Sequence, residues 1–208
     1  MVLSSKVAAL EEEEGRISGV RMESGETRPA RFTVSTLAPW DLSRIQRPAF
    51  LRGDWEGLKP APIISIGLWL DVPILDDEPF VGMLGTETQW VFNKSLILGQ
   101  AAQPGQYLSL VISGAHRHVS RDPKELMEIA RKDLARCFPL FGKAKILKWK
   151  VVKEPFATLS PVPGSDALRP EPGSGVPGFY FAGDWTRTGL PATIESAVAS
   201  GHKVAGEI

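Results

Sequence analysis

The stretch FYFAGDWTRTGLPATIESAVASG, from Phe179 to Gly201, constrains the fold more than any other part of the chain. Phe179-Tyr180-Phe181-Ala182 is short, apolar and aromatic, as a buried strand should be. Gly183 lets the backbone turn or lets a ligand come close. Asp184 then falls at the carboxyl end of the strand, where α/β folds bind ligands, and a carboxylate there can accept hydrogen bonds from ribose or ribityl hydroxyls. Pro191 suits the first turn of a helix that runs to about Ala205. Ile194, Ala197, Val198, Gly201, Val204 and Ala205 recur at helical spacing, which predicts an apolar stripe of mostly small residues packed on a sheet. No acid sits in the first three positions of that helix. Its N-terminus near Ala192, Thr193 and Ile194 therefore offers free N–H groups and a positive dipole end to an anionic or electron-rich ligand atom. The residues alone leave two readings of Asp184 open, a ligand site and a plain turn former.

The rest of the chain predicts a mixed α and β fold with more strands than one parallel sheet needs. Val7–Leu10, Arg16–Met22 and Arg31–Leu37 read as a small antiparallel meander. Residues 41–60 are irregular, with a short helix near Leu42–Gln46. Ile63–Asp71, Pro79–Leu84, Gln89–Phe92, Gln106–Ser113 and Lys145–Lys153 are strand candidates. Asp122-Pro123-Lys124-Glu125 carries capping-box spacing with proline at the first helical position. Leu126, Ile129, Ala130, Leu134, Cys137 and Phe138 follow it at helical spacing, and Pro139 ends the pattern. Residues 155–178 are rich in proline and glycine and read as loop. The ends differ in character from the middle, which predicts two lobes: residues 1–40 with 155–208, and residues 41–154.

Charge and cysteine usage exclude several function classes. Lys plus Arg and Asp plus Glu are 24 each, so no global basic field draws in nucleic acid. The single cysteine, Cys137, rules out a disulfide within the chain and reads as a buried thiol. His116 and His118 would share a face of a strand, but no third ligand stands near them, so no metal site is expected. The first residues do not read as a signal peptide, and the expected location is cytoplasmic. Gly173 to Gly178 spells G-x-G-x-x-G, yet a proline-rich loop precedes it and a strand follows. A dinucleotide fingerprint needs a strand before it and a helix after it, so this run reads as a connector. Trp40, Trp69 and Trp90 read either as core or as the lining of an apolar channel.

The Gly183-Asp184-Trp185-Thr186 and Thr188-to-Glu195 segments resemble the C-terminal flavin-binding motif of the flavin amine oxidase and phytoene desaturase superfamily. The similarity is strongest to the squalene-associated FAD-dependent desaturase, or hydroxysqualene dehydroxylase, family. TLAPW (36–40), PIISIGLWLD (62–71), QWVFNKS (89–95), QYLSLVIS (106–113) and WKVVKEPFAT (149–158) agree with that family in order. The resemblance implies an amine-oxidase-like fold: a partial FAD-binding Rossmann-like lobe (1–40 and 155–208) plus a β-sheet-containing substrate lobe (41–154). It implies FAD as cofactor, with Gly183 and Asp184 at the ribityl or pyrophosphate region and Trp185 beside them. Ala192, Thr193 and the Ile194 N–H then meet the flavin ring edge, and Val7 lies near the adenine. It assigns no catalytic side chain, since the flavin carries the redox chemistry. The implied substrate is a long isoprenoid, hydroxysqualene converted to squalene, with a carotenoid desaturase or another flavoenzyme of the superfamily as the alternative. A chain handling such a substrate could make peripheral membrane contact. The family opens with a βαβ unit carrying G-x-G-x-x-G, which this sequence lacks in that context. The chain is therefore expected to be a C-terminal portion, with a separate N-terminal half as its partner or as a non-catalytic remnant without one.

Overall fold

The computed structural model describes residues 2–99 and 104–208. The chain forms two compact units: one from the residues up to Pro60 with Leu159–Ile208, the other from Ala61–Thr158. The first unit starts with strands β1 (Val7–Glu13), β2 (Arg16–Met22) and β3 (Thr27–Pro29), an antiparallel meander in that order. Strand β4 (Thr33–Ser35) leaves the meander. The sequence pattern had placed it there, but a three-residue strand has no periodicity that reveals its neighbour. Helix α1 (Pro39–Leu42) and two 3₁₀ turns follow.

Residues 41–60 belong to this first unit, which corrects the boundary expected at residue 40. Leu42, Leu51, Trp55 and Leu58 are buried in its core. Arg47 stacks its guanidinium 5.2 Å from the Trp55 ring and pairs with Glu56 at 2.7 Å. Irregular backbone can bury large side chains as well as a helix does, and no spacing announces it.

The second unit is a five-stranded sheet packed against one long helix. Strands β5 (Pro60–Leu70), β6 (Phe80–Gly82), β7 (Trp90–Asn93), β8 (Gln106–Ser113) and β9 (Ile146–Leu159) lie in the order β6-β7-β8-β5-β9. Helix α2 (Lys94–Ile97) follows β7, and helix α3 (Pro123–Cys137) follows β8. Ile64, Ile66, Leu68 and Leu70 of β5 alternate inward, opposite Ile112, Leu110, Leu108 and Gln106 of β8. Leu126, Met127, Ala130 and Leu134 of α3 pack on that face. The capping box forms: Lys124 N–H donates to Asp122 at 2.7 Å, and Glu125 accepts from the Asp122 N–H at 3.3 Å. Cys137, the last residue of α3, is exposed rather than buried. Strand β9 runs on through Pro155 to Leu159, where loop was expected. It is the sheet edge, and an edge tolerates a residue that cannot donate to the ladder.

The chain then returns to the first unit through helix α4 (Ser165–Leu168), strand β10 (Phe179–Phe181) and helix α5 (Ile194–Glu207). Strand β10 pairs in parallel with β4, Phe179 opposite Thr33 and Phe181 opposite Ser35. Phe179, Phe181 and Trp185 join Leu10, Ile17 and Trp55 in the core. No helix among the described residues is long and apolar enough to cross a membrane.

Candidate functional site

Strand β10, the loop after it and α5 hold six of the seven residues picked out as cofactor-binding. Strand β10 ends against β4, where Ala182 N–H donates to the Ser35 carbonyl at 2.9 Å. Gly183 turns the chain with φ +156°, and its N–H donates to Ser200 Oγ at 2.8 Å. Asp184 is half-buried at the strand's carboxyl end. Burial pushes its carboxyl above the usual range. The nearby Arg169 guanidinium and the backbone N–H groups of Asp184 and Trp185 pull the other way. Trp185 turns inward, 2% exposed, with its ring 5.2 Å from Phe181 and 5.9 Å from Trp55. Trp185 thus belongs to the core, while Asp184 stays partly exposed.

Helix α5 begins three residues later than its sequence pattern suggests. Thr193 is the N-cap, its hydroxyl accepting from Ser196 N–H at 3.4 Å, and Pro191 lies in the preceding loop. Glu195 thus falls in the first turn, so the expectation of an acid-free start is corrected. The Ile194 and Glu195 N–H groups come before the first i→i−4 bond of the helix, Ala197 N–H to the Thr193 carbonyl.

The helix also buries a different face, with only Val204 of the expected stripe fully inside. Its buried residues are Ser196, Ser200 and Val204, while Ile194 is 86% and Val198 49% exposed. The reason is chemical. The inner face of α5 meets loop backbone, and hydroxyls satisfy what an apolar face would leave unpaired. Ser200 accepts from Gly183 N–H, and Ser196 Oγ donates to the Asp184 carbonyl at 3.2 Å.

Val7 stands apart from that loop. It opens β1 and lines a groove of about 440 Å³ with Leu10, Val20, Thr33, Val34 and Ser35. The hydroxyls of Thr33 and Ser35 are buried there without a hydrogen-bond partner.

A model of the flavin containing amine oxidoreductase family matches residues 1–208. The chain belongs to that family. A hydroxysqualene dehydroxylase of Sinorhizobium fredii is 35% identical over 133 residues, covering 64% of this chain and 29% of the relative. A 15-cis-phytoene desaturase of Solanum lycopersicum is 30% identical over 223 residues, covering 99% of this chain and 37% of the relative. The chain thus spans about a third of the length of the curated relatives it matches. Among solved structures, a putrescine oxidase aligns with TM-score 0.73 at 13% identity, over 99% of this chain and 48% of that one. Cyclohexylamine oxidase from Brevibacterium oxydans aligns with TM-score 0.66 at 17% identity, over 97% and 47%. These likenesses show the fold.

The residues fit part of the dinucleotide that the flavin amine oxidoreductase family implies. A half-buried carboxylate, first-turn N–H donors and two orphaned hydroxyls suit a ligand rich in hydroxyls and ring acceptors. The Gly173–Gly178 run leads into β10 rather than into a helix, so it forms no phosphate cradle.

Sequence reading missed Arg169. It lies in the proline-rich segment and looks like any surface arginine, yet it is 5% exposed and reaches the loop around Asp184. His118 is also buried and sits 2.8 Å from Glu87, while His116 is exposed; among the described residues no cluster could hold a metal ion. In the second unit the sheet face opposite α3 is aromatic. Phe80 sits across from Phe92, and Gly82 across from Trp90, which is 42% exposed. Trp69 stacks on Tyr107 at 4.4 Å, with Lys148 5.0 Å above the Trp69 ring.

Proposed function

We propose that this chain is part of an FAD-dependent oxidoreductase acting on a long apolar isoprenoid, with hydroxysqualene to squalene as its reaction. The observation that carries the reading is the β10–Asp184–α5 unit: a half-buried carboxylate held between a strand end and a helix first turn. Asp184 would accept hydrogen bonds from ribityl or ribose hydroxyls. The Ile194 and Glu195 N–H groups and the positive end of α5 suit an electron-rich ring edge. The Thr33 and Ser35 hydroxyls, beside Val7, would serve the nucleoside end. Bound FAD supplies the redox chemistry. The aromatic face built by Trp69, Tyr107, Phe80, Trp90 and Phe92 suits an apolar chain, which it would hold away from water by burial and by contact with ring faces. That open apolar face also favours contact with a membrane surface, where such a substrate dissolves.

Strand β4 has β10 as its one sheet neighbour among the described residues, and α5 turns Ile194 and Val198 outward. Both features favour a further polypeptide segment, the separate N-terminal half, that completes the cofactor lobe. A phytoene-type desaturase is the second reading. It is favoured by the tomato relative, which matches 99% of the chain where the hydroxysqualene dehydroxylase matches 64%.

The test is FAD titration of the purified chain, alone and co-expressed with the N-terminal portion of a hydroxysqualene dehydroxylase. Flavin fluorescence and absorbance give the readout. The holo complex is then incubated with hydroxysqualene or with phytoene and the products are separated. Flavin uptake with squalene formed is the expected result, and desaturated phytoene would move the assignment to the second reading. No flavin in either preparation refutes the proposal and makes the chain a non-catalytic remnant.

A further inference from the structure

The arginine that sequence reading missed organises the candidate site. The Arg169 guanidinium uses all five of its N–H donors on groups of the first unit. Nη2 donates to the carbonyls of Asp184 at 2.9 Å and Thr186 at 2.6 Å, and reaches Ser196 Oγ at 3.4 Å. Nη1 donates to the Leu190 carbonyl at 2.8 Å and to Asp166 at 3.0 Å. Nε reaches the Trp185 carbonyl at 3.4 Å. One cation thus gathers four carbonyls spread over seven residues of a loop that lies outside any helix or strand.

Burying a guanidinium is costly, and carboxylates compensate it only in part: Asp184 acts on it through space without a direct side-chain contact. Its paired carboxylate, Asp166, is 91% exposed, so most of that negative charge is spent on solvent. The remaining charge is balanced by carbonyl dipoles, and the return on the desolvation cost is a fixed loop course. A planar fork with donors in set directions can do this; an ammonium with three donors at one point cannot. Ser196 extends the same network, with Thr188 Oγ1 2.6 Å from its hydroxyl and the Asp184 carbonyl at 3.2 Å.

We infer that Arg169 is the positioning residue of this site: its guanidinium fan sets the loop course that presents the Asp184 carboxylate and the first turn of α5 to the cofactor. The inference rests on reading that loop as flavin-binding. Arg169 holds the loop through backbone carbonyls, so its fan geometry sets the loop course, while its charge separately favours the ionised Asp184 carboxylate.

The experiment compares the full chain with its Arg169→Lys and Ser196→Ala variants. Hydrogen exchange of the residue 184–193 amides is measured without FAD, and FAD affinity is measured on the same samples. Lysine keeps the charge and loses the fan. In Arg169→Lys, exchange in the loop is expected to rise about tenfold or more, while the β5 and β8 amides hold their protection. FAD affinity falls by a similar factor. Ser196→Ala removes one spoke of the network and shifts both readouts in the same direction by less, which keeps the test alive if the lysine variant does not fold. Wild-type exchange and wild-type affinity in Arg169→Lys overturn the inference, because charge alone would then suffice. So does a uniform loss of protection in both units, which marks a merely structural arginine. If neither the unsubstituted chain nor its complex with the N-terminal portion takes up FAD, the functional reading fails, and the exchange measurement still decides whether Arg169 orders the loop.

Discussion

Gly183→Ala should be among the most costly single-methyl additions in the first unit. A Cβ at Gly183 would sit 2.7 Å from Trp185 Nε1 and 2.8 Å from Trp185 Cδ1. Ordinary contacts start near 3.4 Å, so the indole must move by several tenths of an ångström. It has nowhere to go. Trp185 is buried, with Phe181 at 5.2 Å on one side and Trp55 at 5.9 Å on another. Overpacking of this kind costs about 1–3 kcal/mol, and a non-glycine residue in sparsely populated backbone space adds about 1 kcal/mol. The expected loss is about 2–4 kcal/mol in urea unfolding followed by far-ultraviolet circular dichroism. Gly189→Ala is the control. It has φ +83° but nothing within 4 Å of the added Cβ, so it carries backbone strain alone, about 1 kcal/mol. The near-ultraviolet signal of the Trp55–Trp185 pair should change in Gly183→Ala and hold in Gly189→Ala. Equal losses in the two variants, or an unchanged tryptophan signal in the first, would refute the reasoning that contact with Trp185 fixes a glycine here.

Two further perturbations test the site and the second unit. Asp184→Asn should stabilise the unliganded chain at pH 7 while weakening FAD binding. Burial raises the folded-state pKa of Asp184 above its unfolded value, so the stabilising contribution belongs to the protonated form and is lost as pH rises through the folded pKa. The advantage of asparagine should therefore shrink as the pH is lowered through that range; urea midpoints that show a pH-independent difference, or a less stable Asn variant at pH 7, would contradict it. Asp122→Ala removes the cap that accepts from Lys124 N–H at 2.7 Å. It should cost about 1 kcal/mol, read as faster amide exchange in the first turn of α3 with the loop at Asp184 unchanged.

Much of the middle unit was legible in the sequence because its signals are local. Strand β5 alternates Ile64, Ile66, Leu68 and Leu70 inward, and this period of two needs no knowledge of the partner. The start of α3 is written in four consecutive residues. The strand–Gly–Asp–helix order around Asp184 was equally plain. What failed were statements about which neighbour an element would meet. Strand β4 left the meander for β10, the irregular segment 41–60 joined the first core, and β9 crossed Pro155 because it lies at an edge.

Helix α5 shows the division most clearly. Its 3.6-residue periodicity determined that one stripe, Ile194, Ala197, Val198, Gly201, Val204 and Ala205, is apolar or small. Whether that stripe faces inward depends on the surface beneath the helix. Here that surface is loop backbone whose Gly183 N–H and Asp184 C=O bond to serine hydroxyls, so Ser196 and Ser200 turn in beside Val204 while Ile194 and Val198 turn out. Arg169 is the same case. A sequence gives its charge, but only the tertiary structure brings four carbonyls within reach of one guanidinium, and a buried cation is tolerable only where such partners converge.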